Sequence, residues 1–184
     1  MSLFPLAAFD VIEEAVGDRL LVEWGHWLEG CNRPFGKHYF GLSVLGVGLV
    51  SVAVSASTVN AKCAGWARGE VVELARCASA PPHRWATRVC LRLWREIAPG
   101  CWSRDYWPVK AAVSYQNAIR HSGNLYRFDG WRKVKDVAGG VAGGNWSRGK
   151  RYDPKAVWEW VIDPKTRRER WDAAAKEAAC GGSS

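Results

Sequence analysis

Apolar residues recur along this chain with two different periods, and the switches between them mark out its elements. From Phe9 to Leu28 the spacing is helical, with Val11, Ile12, Val16, Leu20, Leu21 and Trp24 apolar, and Gly17-Asp18 is a point where the run would break into two helices. Cys31 to Gly36 is a turn-rich loop. His38 to Val44 and Leu49 to Ser57 alternate as strands around Gly46-Val47-Gly48, which suits a hairpin turn. Thr58 to Gly69 reads as a surface loop and Val71 to Cys77 as the next strand. Thr87 to Ala98 then repeats Val89, Leu93 and Ile97 at helical spacing, with Arg88, Arg92 and Arg95 on the wet side.

Gly100 to Pro108 reads as a connection into a strand from Lys110 to Asn117. Asn124 to Asp129 suits a short helix and Trp131 to Val137 a strand. The glycines at 139, 140, 143 and 144 mark a loop or bulged turn. Val157 to Ile162 alternates as a last strand, a helix being the other reading. Lys165 to Ala179 is a polar, basic helix, and Gly181 to Ser184 is tail. Strands that follow one another and are then separated by a helix imply an α/β domain with a mixed sheet.

The chain of 184 residues suits one domain with an ordinary core. Its net charge of +8 favours a polyanionic or phosphorylated partner. Much of the excess falls late, at Arg132, Lys133, Lys135, Arg148, Lys150, Arg151 and Lys155, among Trp131, Trp146, Trp158 and Trp160. That mixture fits nucleic acid, although a solvated face and a tryptophan core are the plainer reading. The six cysteines show no CxxC pairing, so neither a disulfide framework nor a zinc site is expected. Met1 to Val16 lacks the features of a secretory signal, and Leu42 to Val54 is too short to span a bilayer, so a cytoplasmic protein without membrane attachment is expected.

Candidate chemistry concentrates between Val72 and Trp131, where strand, loop, helix and polar-ended strand have the layout of a cofactor cleft. The loop ending at Thr87 offers helix-terminal amides beside Arg84 and Arg88, an arrangement suited to a pyrophosphate. Thr87 as an ordinary N-cap is the competing reading. Tyr115, Gln116 and Asn117 end a strand where α/β folds place ligands, or else Asn117 simply starts a turn. Glu73 and Arg76 point to opposite faces of a regular strand and share a cleft only if a β-bulge intervenes; a buried pair between Glu73 and an arginine is the alternative. His26 and Arg33 are placed to approach the same cleft, and His121 stands just past the strand end in a polar loop. There is no GxSxG, HExxH or glycine-rich nucleotide loop. Nothing in the spacing argues for a metal, for which His26, His121 and Asn117 are the available ligands.

Glu73-Leu74-Ala75-Arg76, Arg84-Trp85-Ala86-Thr87, Val113-Ser114-Tyr115-Gln116-Asn117, His121-Ser122-Gly123 and Leu125-Tyr126-Arg127-Phe128-Asp129-Gly130-Trp131 together resemble the GNAT-type N-acetyltransferase fold. More narrowly they resemble the Mom family of phage DNA-modification enzymes, over roughly residues 26 to 146. The resemblance implies a single GNAT-like domain over 1–164, with a mixed, mostly antiparallel sheet flanked by helices, and a basic C-terminal helix and tail over 165–184. It implies acetyl-CoA held by Arg76, Arg84, Trp85, Ala86, Thr87 and Arg88. It further implies that adenine N6 in DNA is converted to a methylcarbamoyl or acetamido-type derivative that protects the DNA from restriction. The catalytic set it implies is Tyr115, Asn117, His121, Tyr126 and Glu73, with His26 and Arg33 on the substrate. Asn117 stands where the Mom motif carries an aspartate, and an amide orients a substrate but cannot serve as a base. An ordinary acetyltransferase of a small amine or protein, and an inert DNA-binding module, are the alternatives.

Overall fold

The computed structural model describes residues 6–141 and 151–181, without the side chains of 178–181. Gly143, Gly144, Trp146, Arg148, Lys150 and the tail from Gly182 therefore lie outside the described residues. The chain begins with β1 (Ala7–Ile12), α1 (Glu14–Glu23), β2 (Lys37–Val44) and β3 (Gly48–Ala56). A small hairpin of β4 (Lys62–Cys63) and β5 (Trp66–Ala67) precedes β6 (Val71–Ser79), α2 (Ala86–Asp105) and β7 (Ala111–Asn117). Then follow α3 (Asn124–Phe128), β8 (Arg132–Val137), β9 (Gly140–Val141), β10 (Arg151–Tyr152), β11 (Lys155–Val161) and α4 (Pro164–Gly181).

Seven strands form one sheet in the order β1-β2-β3-β6-β7-β11-β8. Every neighbouring pair is antiparallel except β6 and β7, which run parallel because α2 crosses over between them. The α/β class and the mixed, mostly antiparallel sheet are as expected. Helix α2 covers one face of the sheet, packing Cys90, Leu91, Trp94, Ala98 and Trp102 against Phe40, Leu42, Val72 and Leu74. Helix α1 covers the other, packing Leu20 and Leu21 against Tyr39, Val52 and Val54. Trp66, Trp94, Trp102, Trp131 and Trp158 are buried, whereas Trp27 and Trp85 are exposed.

Three expectations need correction. Phe9 to Leu28 is not helical throughout: residues 7–12 form the edge strand β1, which adds to β2 with Phe9 stacked on Phe40 at 5.3 Å. His26 accordingly lies beyond the end of α1. The stretch 58–69 is not simply a surface loop, because Thr58, Cys63, Ala64 and Trp66 are buried in and around the β4–β5 hairpin. The Trp66 indole donates to Glu159 at 2.6 Å and fixes that hairpin to the sheet. Helix α2 does not stop at Ala98 but continues through Pro99 and Gly100 to Asp105. Trp94, Ala98 and Trp102, four residues apart, all bury on one face, and that packing overrides the proline. The last strand is β11 over 155–161, as its alternation predicts.

Glu159 on β11 is fully buried and accepts from Arg132 at 2.8 Å and Arg170 at 2.9 Å. Arg170 also donates to the Ala64 carbonyl, so one carboxylate links β8, α4 and the hairpin. The guanidinium carbons of Arg95 and Arg167 lie 3.8 and 3.9 Å from the Trp160 ring centre. Both lie within cation–π range, so one indole holds a cation from α2 and a cation from α4.

Candidate active site

The ladder between β6 and β7 is short. It pairs Val71 with Ala111, Val72 with Ala112 and Glu73 with Val113, and then ends, although β6 runs on to Ser79 and β7 to Asn117. The next carbonyl, Leu74 O, accepts instead from the Ser114 hydroxyl at 2.9 Å. Beyond this point the two strands part, and a cleft of about 850 Å³ opens between them. Residues 74–79 and 114–117 of the two strands line it, together with Arg84, Thr87 and the segments 24–28 and 120–126.

The cleft brings together Arg76, Arg84, Thr87, Tyr115, Asn117, His121, Tyr126 and His26 of the expected site residues. Arg33, Glu73, Trp85, Ala86 and Arg88 are not among its lining. Ala86 is buried under the start of α2, Trp85 is exposed, and Arg88 lies over the Phe128 ring at 5.8 Å. Glu73 sits where β6 and β7 still pair, behind the cleft, and accepts from Arg33 at 2.7 Å. Burial raises its pKa against the opposing pull of Arg33 and Arg76, and its Oε2 is buried without a partner.

The bulge that Glu73 and Arg76 require is present. Val54 faces Arg76 but Ser55 faces Leu74, so Ala75 is an extra residue on β6. Both side chains thereby reach the segment between α1 and β2, Glu73 through Arg33 and Arg76 through the Gly30 carbonyl at 2.6 and 3.0 Å.

Tyr126 forms part of the cleft floor, stacked on Trp158 with centroids 5.4 Å apart. Its hydroxyl lies 2.8 Å from Ser114 Oγ. Since Ser114 gives its proton to Leu74 O, Tyr126 is the donor of that pair. Burial raises the Tyr126 pKa and keeps the phenol protonated. Tyr115 donates to Cys63 Sγ at 3.0 Å, and burial raises its pKa too. Asn117 is committed to the turn: its Oδ1 accepts from the amides of Ile119 and Arg120, and its Nδ2 donates to Asp153 at 2.7 Å. The turn-forming reading of Asn117 is thus the geometry found.

His26 and His121 flank the cleft mouth, and both have pKa values below the ordinary imidazole value. Burial is the main cause in each, with Arg76 adding to it at His26 and Arg120 at His121. Thr87 does not cap α2: its hydroxyl donates to Ser79 Oγ at 2.7 Å, and no side chain caps the helix. No side chain caps the first amides of α2, and Thr87 in that first turn lines the cleft.

The sequence did not single out Ser114 or Arg120 as site residues, nor the internal bonds that Gln116 makes. Gln116 accepts from the Trp158 indole at 2.8 Å and donates to the His121 carbonyl, tying the strand end to the loop that follows. Gly123 fits that corner because its φ of +77° is left-handed and a Cβ there would meet Gln116 Oε1 at 2.6 Å. Alternation alone placed Ser114 and Gln116 on the face opposite Tyr115, and nothing in sequence showed that the strands part there. Among the described residues there is no cluster of three metal-ligating His, Cys, Asp or Glu side chains, and no helix is long and apolar enough to cross a membrane.

Among the described residues the one parallel pair of a mixed sheet parts at its carboxyl ends beside the start of a helix, and the fold is like that of GNAT acetyltransferases. Solved structures agree. The chain is similar to Arabidopsis thaliana NAA60 in complex with acetyl-CoA, with a TM-score of 0.58, 9% identity, and coverage of 85% of this chain and 99% of that one. It is similar also to the spermidine/spermine N-acetyltransferase SpeG of Vibrio cholerae, with a TM-score of 0.55, 13% identity, and coverage of 88% and 96%. At such identities the likeness is one of fold. No protein-family model and no curated protein matches the sequence.

Proposed function

We propose that this chain is an acyl-CoA-dependent N-acyltransferase whose acceptor is the exocyclic amine of adenine in DNA. The observation that carries the reading is the end of the β6–β7 ladder at Glu73 and Val113. From Leu74 onward the edge of β6 that faces β7 is free of backbone partners, as an amide-bearing pantetheine arm needs. The uncapped start of α2, with Arg84 beside it, suits a diphosphate. Bound there, acetyl-CoA supplies an activated acyl group and a thiolate as leaving group.

The side chains divide the proton work. Tyr126, beside Ser114 at the cleft floor, carries a proton on its Oη and is placed to share it with an anion leaving the cleft. His26 and His121 are unprotonated at neutral pH and can accept a proton from an attacking amine. Arg76, pinned to the Gly30 carbonyl, keeps the wall of the cleft in place.

The choice of acceptor follows from charge. Among the described residues lining the cleft there is no Asp or Glu, whereas Arg76, Arg84 and Arg120 all line it. A cationic amine such as a polyamine has no carboxylate to meet there. The adenine amine is conjugated and neutral and travels on a polyanion, which a chain of net charge +8 attracts. A paired base must leave the stack to react, and Trp24 and Trp27 at the mouth offer faces to receive it. Nucleoside mass spectrometry of DNA incubated with the protein and acetyl-CoA tests the reading: a new adenine derivative is expected, and an unchanged adenosine profile with active, folded protein refutes it.

A further inference from the structure

Two loops meet across the mouth of the cleft. One, between α1 and β2, carries His26 and Trp27; the other, between β7 and α3, carries Arg120 and His121. The Arg120 guanidinium carbon lies 5.5 Å from the Trp27 ring centre, within the range of a cation–π contact. The backbone under each partner is held. Asn117 Oδ1 accepts from the Arg120 amide at 3.0 Å, and His26 Nδ1 donates to the Leu28 carbonyl at 2.9 Å. The tips are not held in the same way. Trp27 leaves 40% of its surface in water, and among the described residues Arg120 pairs with no carboxylate, unlike Arg33 or Arg132.

We infer that Trp27 and Arg120 form the acceptor clamp of the cleft, an inference that rests on the nucleic-acid reading above. A planar base takes the place of the guanidinium on the Trp27 face, and the displaced Arg120 pairs with a phosphate of the same strand. The exchange is favourable because an exposed cation–π contact is weak, whereas a base stacked on an indole and a guanidinium on a phosphate each bind more strongly. Neither half of the exchange requires a bond to a particular base edge. The clamp therefore admits an extruded nucleotide of any kind, and the deeper cleft, near Tyr126, selects the amine. A small cation gains nothing from the exchange and is repelled by Arg120.

The test uses the full chain, acetyl-CoA and a short single-stranded oligodeoxynucleotide carrying one adenine. Trp27→Ala is expected to raise the KM for the oligonucleotide about 10- to 100-fold, far more than it lowers kcat, and Trp27→Phe to recover most of the loss. Arg120→Ala is expected to reduce the slope of log affinity against log salt by about 0.7, the share of one phosphate on a single strand. The KM for acetyl-CoA should stay as in the wild type in all three. If Trp27→Ala melts normally and modifies the oligonucleotide with unchanged KM, or Arg120→Ala keeps the full salt slope, the clamp is wrong while the nucleic-acid reading stands. If the wild type takes up acetyl-CoA but neither binds nor modifies the oligonucleotide, the nucleic-acid reading fails and the clamp with it.

Discussion

The hydroxyls of Ser114 and Tyr126 stand 2.8 Å apart at the point where β6 and β7 separate. Ser114 completes the ladder's last bond with its side chain, through Leu74 O, and in the same place orients the phenol on the cleft floor. One small side chain thus sets both where the cleft begins and where the Tyr126 proton sits.

Ser114→Ala should therefore act on stability and chemistry together. It leaves the buried Leu74 carbonyl and the Tyr126 hydroxyl without their partner, a loss of about 1–3 kcal/mol. Urea unfolding should show that loss, and kcat should fall while the affinity for acetyl-CoA changes little. Tyr126→Phe, which keeps the stack on Trp158, should lower kcat with a smaller change in stability. Equal kcat values for wild type and Tyr126→Phe would remove Tyr126 from the proton pathway.

A second prediction concerns Glu159. Replacing it with Ala leaves Arg132 and Arg170 without their buried acceptor and the Trp66 indole without its own. A loss of about 3 kcal/mol is expected, at the low end for a broken buried pair because both arginines keep some solvent. Limited proteolysis should then cut near the β4–β5 hairpin and α4 first. A variant as stable as the wild type, with both segments still protected, would contradict the assignment.

The parts of this structure legible in sequence are those fixed by local pattern. The β2–β3 hairpin, the strand before Cys77, the start of α2 and the strand ending at Asn117 follow from period and turn residues, and so does the class of fold. The edge strand β1 was hidden because Val11 and Ile12 fall in helical step with Val16 and Leu20, so its own period of two merged with that of α1. The length of α2 past Pro99 was hidden because only the buried Trp102 shows why the helix continues. The site divides in the same way. Tyr115, His26 and His121 were placed near the cleft by type and position and Tyr126 by the family resemblance, but the break in the β6–β7 ladder is a relation between segments 40 residues apart, as in the Ser114 to Leu74 bond. Glu73 and Arg33, read as part of the site, lie behind the cleft, because the pair is satisfied internally.

Acidification should cost both activity and stability. His26, His38 and His121 all have folded-state pKa values below the ordinary 6.5, chiefly through burial. The unfolded chain therefore binds protons first as pH falls. The stability they contribute is complete above about 6.5 and is lost progressively below it as pH approaches the lower folded values. The rate should be flat from neutral pH upward through this range and fall on the acid side, later than an unperturbed imidazole would. Chemical denaturation and initial rates measured from pH 5 to 8 check both; a rate that rises on acidification would exclude a neutral histidine as proton acceptor.

The most direct test of the whole account is hydrogen exchange on the full chain with and without acetyl-CoA. Slowed exchange should appear at the amides of 74–79 on β6 and 86–89 at the start of α2, with little change at the β1 edge or along α4. Binding that leaves those two segments unprotected, or protection confined to the far side of α2 around Arg95 and Trp160, would contradict it.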